Sequence, residues 1–232
     1  MALQAKLEKM QWDLAVLPIE ERNVRSMVLG TISRLVGFLE ITLHEYEEAA
    51  ESFMQNVARQ DELAAEFGEG EHTLTPEEVT LYEQGARLTL VLHLKIETFY
   101  VFAKILLDKT GQTIEHYHGQ GRAASLERHS KLLANLETYA GQKQLEVPND
   151  LLRLATEADE QIVRYRDQFV THEQSPRTIR ATMWSKDSGP SIHVGRIHPR
   201  DTDPEVVRSA SPRELMALID EYVGTVLDWL AE

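Results

Sequence analysis

The chain has 232 residues, of which 42% are hydrophobic and 27% charged, a composition typical of a soluble globular protein with one sizeable core. It has no cysteine, which excludes a disulfide framework and a thiolate metal site and favours a reducing cytoplasm as its location. The formal net charge of −14 argues against broad, nonspecific binding to nucleic acid, because such binding depends on neutralising phosphates.

Two helical patterns occupy the N-terminal part of the chain. An amphipathic helix is predicted over residues 2–16 and ends near Pro18, and a much longer one is predicted over residues 20–67. In the longer pattern the apolar residues recur three and four positions apart, as they do on one face of an α-helix. We expect this helix to bend or break, with Gly30 and Gly37 as the candidate positions. No apolar run approaches the roughly 18 residues of a membrane span, so none is expected.

A capping box begins the next helix. The sequence Thr75-Pro76-Glu77-Glu78 has a hydroxyl residue three positions before a glutamate, with proline at the first helical position. The helix is predicted to run to about Lys109 and to stop near Gly111. Its second half, residues 99–107, is apolar on nearly every side, which predicts burial at the centre of a bundle or in an oligomer interface.

Two shorter helices are predicted after a glycine-containing linker over residues 116–122. The first covers residues 125–139. The second begins at Pro148 and runs to about His172. The central part of the chain is therefore expected to be helical apart from its linkers.

The character of the chain changes after His172. Five of the eight prolines lie between Pro176 and Pro212. Two β-prone runs, residues 178–184 and 191–197, predict a β-hairpin, and a second capping box at 211–214 begins a last helix. The predicted fold is an all-α helical bundle with a small β-hairpin insertion near residues 178–198, before the last helix.

The helix that begins at Pro148 carries the candidate functional residues. At 100° per residue, Arg166 and His172 each fall roughly 60° from the centre of its apolar stripe, on opposite shoulders, where a side chain is partly desolvated but reaches a groove. Asp167 and Arg164 face outward on the same projection. The helix dipole also favours an arginine and a histidine near a helix C-terminus, so a purely structural role stays open. The stripe consists of Leu151, Ala155, Ala158, Ile162, Tyr165 and Phe169.

The segment after this helix is the one basic part of the chain. Residues 174–213 contain seven Lys or Arg against four Asp or Glu. Contact with a polyanion is electrostatically favoured here, although an ordinary solvated loop explains the arginines equally well.

Metal sites are not predicted. The cluster Glu115-His116-Tyr117-His118 lies in a predicted linker without a second cluster at a matching spacing. A di-iron bundle needs Glu-x-x-His on two helices, and that spacing occurs only at Glu69–His72 and Glu115–His118, both outside the predicted helices. We therefore expect neither a metal nor another cofactor.

The segment IVRYRDQFVTHE resembles the signature of the HEPN superfamily. In that superfamily an arginine, usually followed by a polar residue, is separated from a histidine by four to six residues. Arg166, Asp167 and His172 fit this pattern with five residues between arginine and histidine. The segment IETFYVFAKILLDKTG is similar to the apolar second core helix of HEPN proteins of the abortive-infection type. The resemblance covers about residues 79–173 and leaves the N-terminal 70 residues uncovered.

The resemblance implies a fold and an activity. HEPN proteins are helical bundles that usually form homodimers, and many are metal-independent endoribonucleases that act as toxins or antiviral effectors. Carried over, Arg166 would bind the scissile phosphate, His172 would be the general acid and base, and Asp167 would orient one of the two. The candidate contacts to RNA are Arg164, Arg177, Arg180, Arg196 and His198.

The same resemblance leaves a second function open. Some HEPN proteins have lost activity, so the alternative is an inactive module that binds a protein partner or a nucleotide. The ribonuclease is expected to be a cytoplasmic homodimer, and both forms allow a dimer, with RNA, an antitoxin or another protein as partner. An unrelated helical bundle is the remaining alternative. The expected organisation is a single domain over 1–232, with a helical extension (1–70), a core (75–173), a hairpin and loop segment (174–210) and a C-terminal helix (211–232).

Overall fold

A computed structural model describes residues 2–65, 73–167, 177–182, 191–196, 205–206 and 211–231. Helices make up most of these residues, and the all-α class is confirmed at that level. The helices are α1 Ala2–Asp13, α2 Ile19–Ala65, α3 Pro76–His118, α4 His129–Lys143, α5 Leu151–Ala158 and α6 Pro212–Ala231. A 3-10 turn follows α1, and a π-helical segment continues α5.

Among the described residues between α5 and α6 there are three short strands. β1, Arg177–Thr182, pairs antiparallel with β2, Ser191–Arg196, in the range where a hairpin is predicted. β2 also pairs antiparallel with a two-residue strand, β3 Glu205–Val206, which the sequence pattern does not indicate. Residues 183–190, which connect β1 and β2, lie outside the described residues.

The contacts of the chain divide into two compact units, each discontinuous in sequence. The first contains Met1–Ile41, Phe99–Thr171 and Ala210–Glu232, and the second contains Thr42–Thr98 and His172–Ser209. Helix α1, predicted as part of an N-terminal extension, therefore belongs to the same unit as α5 and α6. In this unit Lys6 of α1 donates to the carbonyl oxygen of Gly224 and to Asp228 of α6.

Both predicted capping boxes are confirmed. At the start of α3 the Thr75 N–H donates to Glu78 Oε2 at 2.6 Å, and the Glu78 N–H donates to Thr75 Oγ1 at 3.3 Å. At the start of α6 the Ser211 N–H donates to Glu214 Oε2 at 2.7 Å, and the Glu214 N–H donates to Ser211 Oγ at 3.3 Å. Each box satisfies two N–H groups that the first helical turn leaves without a partner.

Of the bend or break expected in α2, a break is wrong, because the helix passes through both Gly30 and Gly37 without interruption. Side chains of α1 lie over these glycines: a Cβ at Gly30 would be 4.0 Å from Gln11 Nε2, and one at Gly37 would be 3.8 Å from Gln4 Nε2. The Gln4 amide also exchanges two hydrogen bonds with Ser33. Contact with α1 therefore stabilises α2 at the two glycines, where its helix propensity is lowest.

The expected end of α3 near Gly111 is also wrong, because α3 continues to His118. A Cβ at Gly111 would lie 2.4 Å from the backbone oxygen of Leu126. Glycine is needed there so that the segment before α4 can approach the helix closely. The chain leaves the helix at Gly119, whose φ is +80°, so residues 116–118 form the last turn of α3 instead of a linker.

Helix α4 begins at His129, four residues later than predicted. The carboxylate of Asp108 in α3 accepts the N–H of His129 at 2.8 Å and so caps α4 from another helix. The preceding residues are held differently, since the Leu126 N–H donates to Glu115 Oε1 at 2.9 Å. A tertiary contact therefore fixes this helix start.

The apolar stretch 99–107 of α3 is largely buried, as predicted. Phe99, Ala103, Leu106 and Leu107 belong to the core of the first unit, whereas Ile105 is exposed. Burial on every side is therefore wrong for Ile105.

By length and composition alone, α2 is long and apolar enough to cross a membrane. One such helix is weak evidence, because a core helix of a globular protein passes the same test. Leu29, Ile32, Val36 and Leu39 of α2 are buried inside the protein. The absence of a membrane span stays a prediction.

Candidate functional site

The helix that carries Arg166 packs on the core through the predicted stripe. Its described members are all buried, and they are Leu151, Ala155, Ala158, Ile162 and Tyr165. Phe169 lies outside the described residues. The pattern at 100° per residue therefore identified the buried face correctly. The positions of Arg164 and Asp167 on the other side of the helix follow from this face.

A π-helical segment, Asp159–Arg164, lies directly before Arg166. Such segments, with hydrogen bonds from i to i+5, are rare and occur frequently at functional sites. The turn is held from inside the unit, because Ile162 and Val163 are buried and the Tyr165 ring stacks on Tyr100 with centroids 4.3 Å apart. Arg166 thus extends from a fixed backbone.

Arg166 is half-buried, with 30% of its side chain exposed. Its Nη1 donates to Asp167 Oδ1 at 2.6 Å, and its Nε is buried without a hydrogen-bond partner in the part of the chain that the structure describes. Asp167, predicted to point outward, has 47% of its side chain exposed. A carboxylate therefore holds Nη1 of the guanidinium, whereas the Nε N–H is buried and unsatisfied among the described residues.

Arg164 lies on the outer face, as predicted, with 63% of its side chain exposed. Its Nε donates to Asp159 Oδ2 at 3.2 Å, and its Nη1 lies 4.0 Å from Glu160 Oε1. Two carboxylates therefore balance its charge, which makes it a weaker candidate for RNA contact than Arg166.

The other predicted site residues belong to the second unit. In the register of the strands, Arg177 is the direct partner of Arg196, and Arg180 is the partner of His193. This register pairs two candidate RNA contacts at the level of the backbone. His172 and His198 lie outside the described residues.

A buried polar cluster, which the sequence pattern does not indicate, contacts α5 on its inner side. It consists of His129, Tyr222, Asp108 and Lys104. His129 is fully buried, and its Nε2–H donates to the carbonyl oxygen of Ala155 at 2.9 Å. Its ring lies edge-on to Tyr222, with centroids 5.5 Å apart. Asp108, which caps α4 at His129, also accepts from Lys104 at 2.5 Å. The partners lie far apart along the chain, so no local spacing reveals the cluster.

Burial shifts the pKa values of His129 and Tyr222 in this cluster. It lowers the pKa of His129, against the opposing effects of the Ala155 hydrogen bond and the nearby carboxylates. Burial also raises the pKa of Tyr222, with a contribution from Asp108. The His129 Nδ1 and the Tyr222 hydroxyl have no hydrogen-bond partner within the described chain. A neutral imidazole in this position holds α4 against α5 and does not reach a substrate.

The residues considered for metal binding are placed differently from expectation. Glu115 and His118 lie in the last turn of α3 and not in a linker. Among the described residues, no group of three or more His, Asp or Glu side chains is arranged to hold a metal ion.

Comparison with known proteins finds no family model, no curated protein and no solved structure that matches this chain.

Proposed function

We propose that this protein is a HEPN-like, metal-independent endoribonuclease in which Arg166 binds the scissile phosphate and His172 transfers protons. It acts in the cytoplasm as a homodimeric toxin or antiviral effector. The half-buried Arg166 guanidinium, which follows a π-helical segment and is oriented by Asp167, is the observation that supports this proposal. A partly desolvated, pre-oriented guanidinium stabilises charge on a phosphate far better than a solvated one.

The proposed reaction needs only groups of the two protomers and the RNA. A ribose 2′-hydroxyl attacks the adjacent phosphorus, the bond from phosphorus to the 5′-oxygen breaks, and a 2′,3′-cyclic phosphate forms. One His172 takes the proton of the 2′-hydroxyl, and the His172 of the second protomer gives a proton to the leaving oxygen. Arg166 holds the nonbridging oxygens as their charge grows.

The test is cleavage of a mixed RNA by the purified full chain in EDTA. We expect Arg166→Ala and His172→Ala each to slow cleavage by about 100-fold or more. Arg153→Ala is the matched control, because Arg153 lies on α5 and is an exposed arginine paired with carboxylates. Its cleavage rate should stay within about threefold of the wild type. Cleavage that persists at the wild-type rate in both site variants would falsify the assignment.

A second candidate is the inactive HEPN-like module that binds a protein partner or a nucleotide. The ion pair between Arg166 and Asp167 and the net charge of −14 favour it, because both reduce the attraction of the site for a polyanion. Nucleotide binding without any RNA cleavage, lost in Arg166→Ala, would support this candidate over the ribonuclease.

A further inference from the structure

The solvent side of α3 in the second unit carries a row of apolar side chains, and Glu83 and His93 fall within the same arc of the helix. At 100° per residue these positions fall within an arc of about 120°, and they extend over about 22 Å of the helix. Leu90 and Leu94 are the most prominent, with 70% and 59% of their surface exposed. The row, named the α3 stripe, consists of Val79, Tyr82, Ala86, Leu90 and Leu94, all exposed.

The α3 stripe is separate from the face through which α3 packs in its own unit. That face contains Gly85, Leu92 and Ile96, all buried, roughly 120° around the helix from the stripe. At Gly85 the helices approach so closely that a Cβ would lie 2.8 Å from Asn56 Oδ1. Single exposed apolar residues are ordinary, but a contiguous row on a helix that is already packed marks an interaction surface.

The described helices of the second unit are acidic, and this charge favours a basic partner for the α3 stripe. Residues 42–65 hold six acidic residues and one arginine, and residues 76–98 hold four acidic and two basic residues. Glu83 is exposed on the stripe side of the helix. Such a surface repels an anionic membrane and also repels the same acidic surface of a second copy of the chain. A partner with basic residues beside its apolar anchors is attracted.

We propose that the α3 stripe docks a basic amphipathic helix of another protein. The side chains of the α3 stripe are spaced three and four residues apart and form a ridge that fits between the side-chain rows of a second helix. Leucines and a tyrosine provide the apolar contact, and the acidic helices of the second unit pair with lysines or arginines at the rim. The proposal does not depend on Arg166 or on ribonuclease activity.

The test uses the full chain and a fluorescent peptide of about 18 residues, built from leucine and lysine with leucines at helical spacing. Fluorescence anisotropy measures its affinity for the wild type, for the double variant Leu90→Ser with Leu94→Ser, and for Leu152→Ser. Leu152 is the matched control, because it is an exposed leucine on α5 in the first unit. We expect the double variant to raise Kd by about tenfold or more and the control by less than about twofold.

Several results would overturn the proposal. One is equal binding of the peptide by the double variant and the wild type, and another is equal affinity for a peptide with glutamate in place of lysine. Sedimentation velocity tests for a second copy of the chain, since a wild-type dimer that becomes a monomer in the double variant would assign the α3 stripe to self-association. Binding to phosphatidylserine vesicles that the double variant loses would assign it to a membrane. The RNA cleavage rate of the double variant reports separately on the proposed ribonuclease.

Discussion

His129 shows how a single buried residue makes stability depend on pH. Its imidazole is fully buried, and desolvation lowers its pKa below the ordinary value of 6.5. Asp159 and Asp108 oppose this shift, and Lys104 adds to it. At pH values between the folded-state pKa of His129 and 6.5, the His129 imidazole binds more protons in the unfolded chain than in the folded protein. Stability is therefore present above this window and is lost as the pH falls through it.

We expect the free energy of unfolding to fall as the pH drops below about 6.5, with a His129 contribution of at most about 1.4 kcal/mol per pH unit. His129→Gln keeps an N–H donor for Ala155 but does not titrate, so its pH dependence should be shallower. His44→Gln is the control, because His44 is an exposed histidine. Urea unfolding at a series of pH values measures the slopes. Equal slopes in the wild type and His129→Gln would show that other groups cause the dependence.

Asp167 is proposed as a positioning residue for Arg166. Asp167 Oδ1 accepts from Arg166 Nη1 at 2.6 Å and so orients the guanidinium. Asp167→Asn should therefore lower kcat for RNA cleavage by about tenfold while KM changes little. Asp167→Glu keeps the charge and should recover part of kcat. About half of the Asp167 side chain is exposed, so the melting temperature of each variant should stay close to that of the wild type. A rise in KM alone, with kcat unchanged, would instead make Asp167 a residue that affects substrate binding.

Within the helices, identical residues have opposite roles. Gly30 and Gly111 both lie in helix interiors, where glycine weakens a helix by about 1 kcal/mol relative to alanine. The surroundings differ, since a Cβ at Gly30 meets only the end of a flexible glutamine, and one at Gly111 meets a backbone oxygen. The sequence identifies both as helix breakers, and neither breaks its helix.

Alanine substitutions should separate the two glycines. Gly30→Ala should raise the free energy of unfolding by up to about 1 kcal/mol, because it lowers the entropy of the unfolded chain and fits the available space. Gly111→Ala should lower it by about 1–3 kcal/mol, because the Leu126 backbone must move away. Urea unfolding measures both values. A change of the same sign in the two variants would contradict the role assigned to Gly111.

At the scale of the whole molecule, the acidic excess is the dominant electrostatic property. The negative side chains that give the net charge of −14 repel one another in the compact state. The ion pairs between exposed side chains offset little of this repulsion. Salt screens such repulsion over distances longer than roughly 10 Å at 0.1 M. The folded state is therefore expected to be least stable at low ionic strength.

We expect the melting temperature to rise by about 2–4 °C between low salt and about 0.5 M sodium chloride, which corresponds to about 1 kcal/mol for a chain of this size. Tryptophan fluorescence during heating measures it, with three tryptophans as probes. A melting temperature that falls with salt would mean that ion pairs such as Lys6–Asp228 and Lys95–Glu45 outweigh the repulsion.

The sequence by itself determined the helical class, both capping boxes and the buried stripe of α5, since each depends on residues within a few positions of one another. It also placed Arg166 on the shoulder of that stripe. Only the tertiary structure decided that α2 continues through Gly30, that α3 passes Gly111, that Asp108 starts α4, and that His129 holds α5. These features depend on residues distant along the chain, and local spacing carries no information about such contacts.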